Sequence, residues 1–328
     1  MRETIGQYKI LDRVGIGGIG EVFRARDTRA GRTVAIKMVD PPLTRDPERK
    51  ERFLHVVQAV EALSHPNIAT LYEFGEDQGQ QYLAFEYVPG ETLKAHIGGR
   101  PLNPRRALDL AIQLADALAE VHGMSLIHGD IKPDNVIVTP KGNAKLLDCG
   151  LAEWTAGGAA RDRTARAPVS SEPLAGATFV RTVPYMSPEQ IRGESVDYRS
   201  DIFSLGAMIF EMLTGKPPYA AATPTAVARQ IAEAPAPAPT ALNPGLPREV
   251  DAIVGRCLAP KLDDRYESAA TLAAELRSLG AILDVRSGTS EPPAMVEGEP
   301  ERRSTVGWAL AVAVLALAAA IVWLAMRG

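Results

Sequence analysis

The hydrophobic period of this chain turns from mainly alternating to helical near Pro89-Gly90, and that change limits the fold more than any other feature. Before it, apolar residues alternate as in half-buried strands. Residues 8–39 read as strand, glycine turn, strand, strand, and residues 68–74 and 81–87 as two more strands on either side of Asp77-Gln78-Gly79. One helix interrupts them at 49–63, where Phe53, Val56, Val57 and Val60 share a face after a proline-rich approach. After Gly90 the period is helical. Ala107, Leu110, Ala111, Leu114, Ala117, Leu118 and Val121 form one apolar stripe, and residues 200–213 are apolar nearly all round, as a central helix would be. Residues 250–258 and 268–279 are amphipathic and belong at the periphery, and the APAPAP run at 234–239 is expected to be an extended connector. The expectation is an α+β fold: a small antiparallel β lobe with one main helix, about 8–87, and a larger helical lobe, about 91–279.

The 328 residues, 46% of them apolar, can bury one large or two modest cores. Thirty-six basic against forty acidic side chains leave a net charge of −4, so nothing draws the chain as a whole to nucleic acid. The two cysteines, Cys149 and Cys257, have neither metal-ligand spacing nor a disulfide framework, which suits a reducing compartment.

The first residues carry no apolar stretch, so no cleaved signal peptide is expected. Residues 306–326, in contrast, run for 21 positions without a charge, and at about 1.5 Å per residue a helix of that length spans a bilayer core of roughly 30 Å. Trp308 and Trp323 stand near its ends, and Arg302 with Arg303 precede it, outnumbering Arg327 beyond it. The positive-inside rule then places the large domain in the cytoplasm, on a single-pass anchor in the cell (inner) membrane. Residues 280–305, rich in Gly, Pro, Ser and Glu, read as a flexible juxtamembrane linker. Small residues four apart, Gly307 with Ala311 and Ala316 with Ala320, would let two copies of the span pair as a homodimer. With so little chain after Met326, no extracellular sensor domain is expected.

Four motifs carry chemistry. Gly15-Ile16-Gly17-Gly18-Ile19-Gly20 lies between two strands, where glycines permit a tight turn and bring backbone N–H groups toward phosphate oxygens. A dinucleotide fold would open a helix at the last glycine, whereas Glu21-Val22-Phe23-Arg24-Ala25 continues as strand, so an oxidoreductase is disfavoured. Val34-Ala35-Ile36-Lys37 follows, its alternation placing Ala35 and Lys37 on one face within reach of a nucleotide. His128-Gly129-Asp130-Ile131-Lys132-Pro133-Asp134-Asn135 then gathers a carboxylate, an ammonium and an amide, suited to orienting a hydroxyl, neutralising phosphate and binding a metal. Thirteen residues on, Asp148-Cys149-Gly150 adds a second hard oxygen donor, so Asn135 and Asp148 can share magnesium.

In their order and spacing these motifs, with Ser187-Pro188-Glu189 and Asp201 followed by Ser204-Leu205-Gly206, resemble the eukaryotic-type protein kinase family, and specifically bacterial Ser/Thr protein kinases, over residues 8–279. The resemblance implies a two-lobed protein kinase fold, ATP and magnesium as cofactors, and protein Ser/Thr hydroxyls as acceptors. It implies nucleotide binding by Val14, Gly15, Gly17, Gly18, Gly20, Val22, Ala35 and Lys37, magnesium on Asn135 and Asp148, Asp130 as catalytic base and Lys132 at the γ-phosphate. Asp-x-Lys-Pro-x-Asn, with Thr182 ahead of Tyr185, is similar to Ser/Thr rather than Tyr kinases. The resemblance also implies a buried Glu189–Arg265 ion pair and bracing of the catalytic loop by Asp201.

Three positions depart from the pattern. Val56 stands where the family's helix glutamate pairs with the phosphate-binding lysine, Cys149 where a phenylalanine is usual, and Gly129 where an arginine often is. Val56 and Cys149 define the alternative to an active membrane-tethered kinase, a pseudokinase acting as a scaffold or allosteric partner in signalling, while Gly129 removes the cation that in many relatives receives a phosphorylated activation loop. Thr164, Ser170, Ser171 and Thr178, in the long segment 151–180, are candidate phosphorylation sites.

Overall fold

The structure, a computed structural model, describes residues 3–17, 19–40, 47–152 and 177–286. It divides into Met1–Leu283 and Asp284–Gly328, and of the second unit only the three residues that finish a helix are described.

The first lobe is a six-stranded antiparallel sheet. Its strands are β1 (Thr4–Ile5), β2 (Tyr8–Gly17), β3 (Gly20–Asp27), β4 (Thr33–Met38), β5 (Leu71–Asp77) and β6 (Gln80–Glu86), in the spatial order β1-β2-β3-β4-β6-β5. Alternation decides which residues face which side. Val34, Ile36 and Met38 of β4 join Ile5, Tyr8, Ala25, Tyr82 and Ala84 in one buried cluster. The opposite face receives helix α1 (Pro47–Glu61), whose Phe53, Val57 and Val60 pack with Leu71, Leu83 and Phe85. Burying a side chain such as Phe53 is worth about 2–3 kcal/mol, so this apolar face is a main hold on the helix.

The second lobe opens with β7 (Glu91–Thr92) and α2 (Leu93–Ile97), capped by the Thr92 hydroxyl on Ala95 N, then α3 (Pro104–Gly123), capped by Asn103. A small sheet of β7, β8 (Val136–Val138) and β9 (Ala144–Leu146) carries the loop between α3 and β8. Helices α4 (Ala177–Thr182), α5 (Pro188–Arg192), α6 (Tyr198–Thr214), α7 (Pro224–Glu233), α8 (Pro239–Leu242), α9 (Glu249–Cys257) and α10 (Ala269–Arg286) complete it. Every residue of α6 from Ser200 to Leu213 is buried, as its unbroken apolar surface requires. Gly206 lets α9 approach: a Cβ there would lie 2.4 Å from the Cβ of Cys257.

The lobes are stitched together between α1 and β5. Leu146 N donates to Asn67 O at 2.8 Å and Ala69 N to Leu146 O at 2.9 Å, while the Asn67 amide reaches Ala144 O at 2.7 Å and Gln113 Oε1 at 2.9 Å. This stitching explains one difference from the sequence reading. The strand expected at 68–74 begins only at Leu71, because Ile68 and Ala69 give their backbone pairing to β9. The expected helix 49–63 lies two residues earlier, at Pro47–Glu61. The ends of the domain also move outward. Strand β1 precedes residue 8, and its Ile5 is fully buried. Helix α10 runs through 280–286, the expected start of the linker, because Leu283 still packs on the core. The rest of the linker and the expected span at 306–326 lie outside the described residues, among which no helix is long and apolar enough to cross a membrane.

Candidate active site

Lys37 sits on β4 opposite Val22 of β3 and points from the same face as Ala35. Its ammonium is largely buried, pairs with the Asp148 carboxylate, and stands 5.6 Å from the centre of the Phe85 ring. The glycine hairpin covers this region from β2 and β3, with Gly15 opposite Val22 and Gly17 opposite Gly20. Gly18 lies outside the described residues. Gly20 has φ +144, and a Cβ on it would stand 2.1 Å from the Met38 carbonyl oxygen, so the hairpin enters β3 only through glycine. Val14 is 60% exposed on β2, whereas Ile19 is folded inward against the α1 cluster, its carbonyl accepting from Asp40 N at 2.9 Å.

The loop between α3 and β8 brings the remaining groups together. Lys132 Nζ donates to both oxygens of Asp130, at 2.8 and 2.6 Å, and to the Thr182 hydroxyl at 2.8 Å. Asn135 Nδ2 donates to the Asp130 carbonyl and carboxylate at 2.8 and 2.9 Å, which turns its amide oxygen, a hard donor, away from that carboxylate. Leu147 N donates to Asn135 O at 2.9 Å, so the Asp148 turn is tied to the same loop. Asp148 itself has φ +62, a left-handed conformation costing a non-glycine residue about 1 kcal/mol or more. The loop is held from below by Asp201, 1% exposed, which accepts from His128 N and Gly129 N at 2.8 Å each and contacts His122 Nε2 at 2.9 Å. His128 is buried; its Nε2 bonds Leu147 O at 2.8 Å and its Nδ1 accepts from Asp130 N at 3.3 Å, so it serves as a strut between loop and turn.

Glu189 and Arg265 form a bidentate pair, at 2.7 and 2.9 Å, in almost complete burial. Burial alone would raise the carboxyl pKa, but the hydrogen bonds from Arg265 and Ser200 and the guanidinium charge outweigh it and hold Glu189 at about 2. Arg265 also donates to the carbonyls of Ala259, Arg199 and Pro260, which locks the end of the second lobe to α5 and α6.

The three departures find distinct settings. Val56 is half-buried among apolar neighbours, over Gly150. Cys149 is buried in the main core, where burial and then the charges of Asp148 and Asp201 push its thiol pKa well up. Gly129 has φ +76, and a Cβ there would meet the Ala152 Cβ at 2.9 Å. A larger residue would have to displace that segment.

Sequence reasoning passed over several groups around this site. His122 touches Asp201; Lys94 pairs with the buried Glu211 at 2.6 Å beside Tyr185; Lys145 bonds Glu86 at 2.6 Å between the lobes. Each joins elements 59 to 117 residues apart, and none stands in a local motif that would mark it.

A model of the protein kinase domain matches residues 8–276. The chain belongs to the protein kinase family. The chain is 35% identical to the serine/threonine-protein kinase PknB of Mycolicibacterium smegmatis, across 98% of this chain and 55% of that protein. It is 37% identical to PknB of Mycobacterium tuberculosis, across 88% of this chain and 44% of that one. The chain thus spans about half the length of these curated relatives. The crystal structure of the Mycobacterium tuberculosis PknI kinase domain matches it with a TM-score of 0.62 at 24% identity, covering 84% of this chain and 97% of that one, a likeness in fold.

Proposed function

We propose that this chain is a Ser/Thr protein kinase that transfers the γ-phosphate of ATP to hydroxyls of protein substrates in signalling, anchored to the cell membrane through 306–326 with the kinase domain in the cytoplasm. The observation that carries the reading is the pairing of Lys37 with Asp148 across the lobes, beside a loop in which Asp130, Lys132, Asn135 and Thr182 already touch. These groups fit magnesium and ATP. Asp148, a hard oxygen donor, pairs with a largely buried ammonium, the Asn135 amide is held on the neighbouring loop by Asp130, and Gly20 admits no side chain where the hairpin closes. Bound there, MgATP supplies the phosphoryl group.

The protein's own part is positioning and charge. Lys37 holds the nucleotide phosphates in a largely buried setting where its charge is poorly screened. Asp130, oriented by Lys132 and Asn135, accepts the proton of the substrate hydroxyl, and Lys132 offsets negative charge at the transferred group. Thr182, bound to Lys132, ties the segment before α5 to this loop and so sets where the acceptor chain lies. Val14, Val22 and Ala35 provide the apolar walls for the base, and Gly15 and Gly17 the backbone donors above the phosphates.

Val56 favours a second reading, a pseudokinase that binds nucleotide without transferring phosphate, because α1 offers Lys37 no carboxylate at that position. Labelled ATP decides between them. The full chain in detergent is expected to label itself or a generic basic substrate, and Lys37→Met and Asp130→Asn to fall to background. No label above those controls at millimolar ATP, with nucleotide binding intact, selects the pseudokinase. Partition of the full chain into the membrane fraction, and release on deletion of 305–328, tests the anchor.

A further inference from the structure

Val56 covers one face of the turn that carries Asp148. Its Cγ1 lies 3.2 Å, and the Cγ2 of Val60 3.3 Å, from the position a Cβ on Gly150 would occupy, with Leu126 behind at 3.9 Å. Gly150 has φ +71 and Asp148 φ +62, so the turn places two left-handed residues within three positions. Such a backbone persists only where its surroundings fix it. On one side it is fixed by the hydrogen bonds of Leu147 N to Asn135 and of His128 to Leu147 O. On the other, α1 meets it through apolar side chains: Val56 and Val60 on Gly150, and Val57 and Val60 in the cluster that buries Leu151. The Lys37 ammonium meanwhile gives its ion pair to Asp148.

We propose that Val56 is a positioning residue that, together with Val60, clamps the Asp148-Cys149-Gly150 turn by packing and so sets the metal-binding carboxylate without the helix ion pair. The proposal rests on the kinase reading for its chemistry, yet it concerns the metal turn and can be tested apart from phosphoryl transfer. The helix gains its hold on the turn from contact that is short-ranged and insensitive to salt, in contrast to a charge pair. Removing methyl groups at Val56 therefore loosens Asp148 directly, while Lys37 and the hairpin stay in place. A carboxylate at this position would point into an apolar cluster and compete with Asp148 for Lys37.

The test uses the full chain in detergent and its variants Val56→Ala, Val56→Ile and Val56→Glu, with melting temperature as a fold control. Affinity for a fluorescent ATP analogue is measured with and without magnesium, beside kcat and KM for transfer. Metal and nucleotide couple by about tenfold or more in a typical site. In Val56→Ala this gain is expected to shrink to under about threefold, with magnesium-free affinity unchanged, whereas Val56→Ile retains it. Val56→Glu is expected to lose the gain and to lower kcat. The proposal is overturned by a Val56→Ala chain that keeps the full magnesium gain, by a Val56→Glu chain with kcat above the wild type, or by a wild-type chain with no such gain. A wild-type chain that shows the gain but transfers no phosphate refutes the kinase reading and leaves the clamp supported.

Discussion

Asp201→Asn separates support of the catalytic loop from binding of the nucleotide. The carboxylate is fully buried and accepts from His128 N, Gly129 N and the His122 ring. Asparagine has the same shape but only one acceptor oxygen. With its nitrogen toward Gly129, that N–H faces another donor; turned the other way, the nitrogen faces His128 N and His122. One charge-assisted hydrogen bond, worth about 1.5–3 kcal/mol, is lost, and a buried donor left unpaired adds about 1–3 kcal/mol. The sum, roughly 2.5–6 kcal/mol, corresponds to a melting temperature lower by about five to ten degrees in a domain of this size. Because His128 and Gly129 immediately precede Asp130, the loop shifts at the proposed catalytic base, and kcat is expected to fall about a hundredfold. Lys37 and Asp148 do not touch Asp201, so KM for ATP stays within about threefold. Differential scanning fluorimetry and steady-state phosphotransfer read these quantities. An Asp201→Asn chain with the wild-type melting temperature and kcat would refute the reasoning; a large rise in KM with kcat unchanged would place the support at the nucleotide instead.

Glu189, held at about 2 against an ordinary 4.5, favours the folded state above pH 4.5, and that contribution drains away as pH falls toward 2. At neutral pH it amounts to about 3 kcal/mol, so Glu189→Gln should melt well below the wild type at pH 7, with the gap narrowing below about pH 4.5 in pH-dependent denaturation. Gly20→Ala must shift the hairpin or the Met38 carbonyl, and is expected to weaken nucleotide affinity at least tenfold in a binding titration while the second lobe keeps its helical circular dichroism. Cys149 and Cys257 are both buried with thiol pKa values pushed up, first by burial, so neither should alkylate in native protein at pH 8, and both should react after unfolding, as mass spectrometry will read.

The two-lobed α+β architecture was legible because the two periods are clean: β4 alternates between two buried clusters, and α6 is apolar all round and buried from Ser200 to Leu213. The site was legible where its residues lie close in sequence, as in Asp130, Lys132 and Asn135, whose mutual bonds follow from a single loop. What escaped depends on tertiary contact. Ile19 could not be read as buried, since only the packing of the hairpin on α1 turns it inward. Ile68 and Ala69 look like strand residues of the first lobe and pair with the second. Gly129, noted only as a missing arginine, holds a positive φ under Ala152, a constraint no composition records.

The stitch between Asn67, Ala69 and Leu146 has a mechanical consequence. It binds the stretch that leaves α1 to the small sheet of the other lobe, so this end of the helix is a fulcrum. Any widening of the cleft would swing the Pro47 end through the longest arc and leave the Glu61 end nearly still, in a lever of 15 residues and about 22 Å. Val56 and Val60 sit on the short arm. A tilt of α1 about this end would therefore reach the turn at Gly150 only as a small change in the contacts of Val56 and Val60.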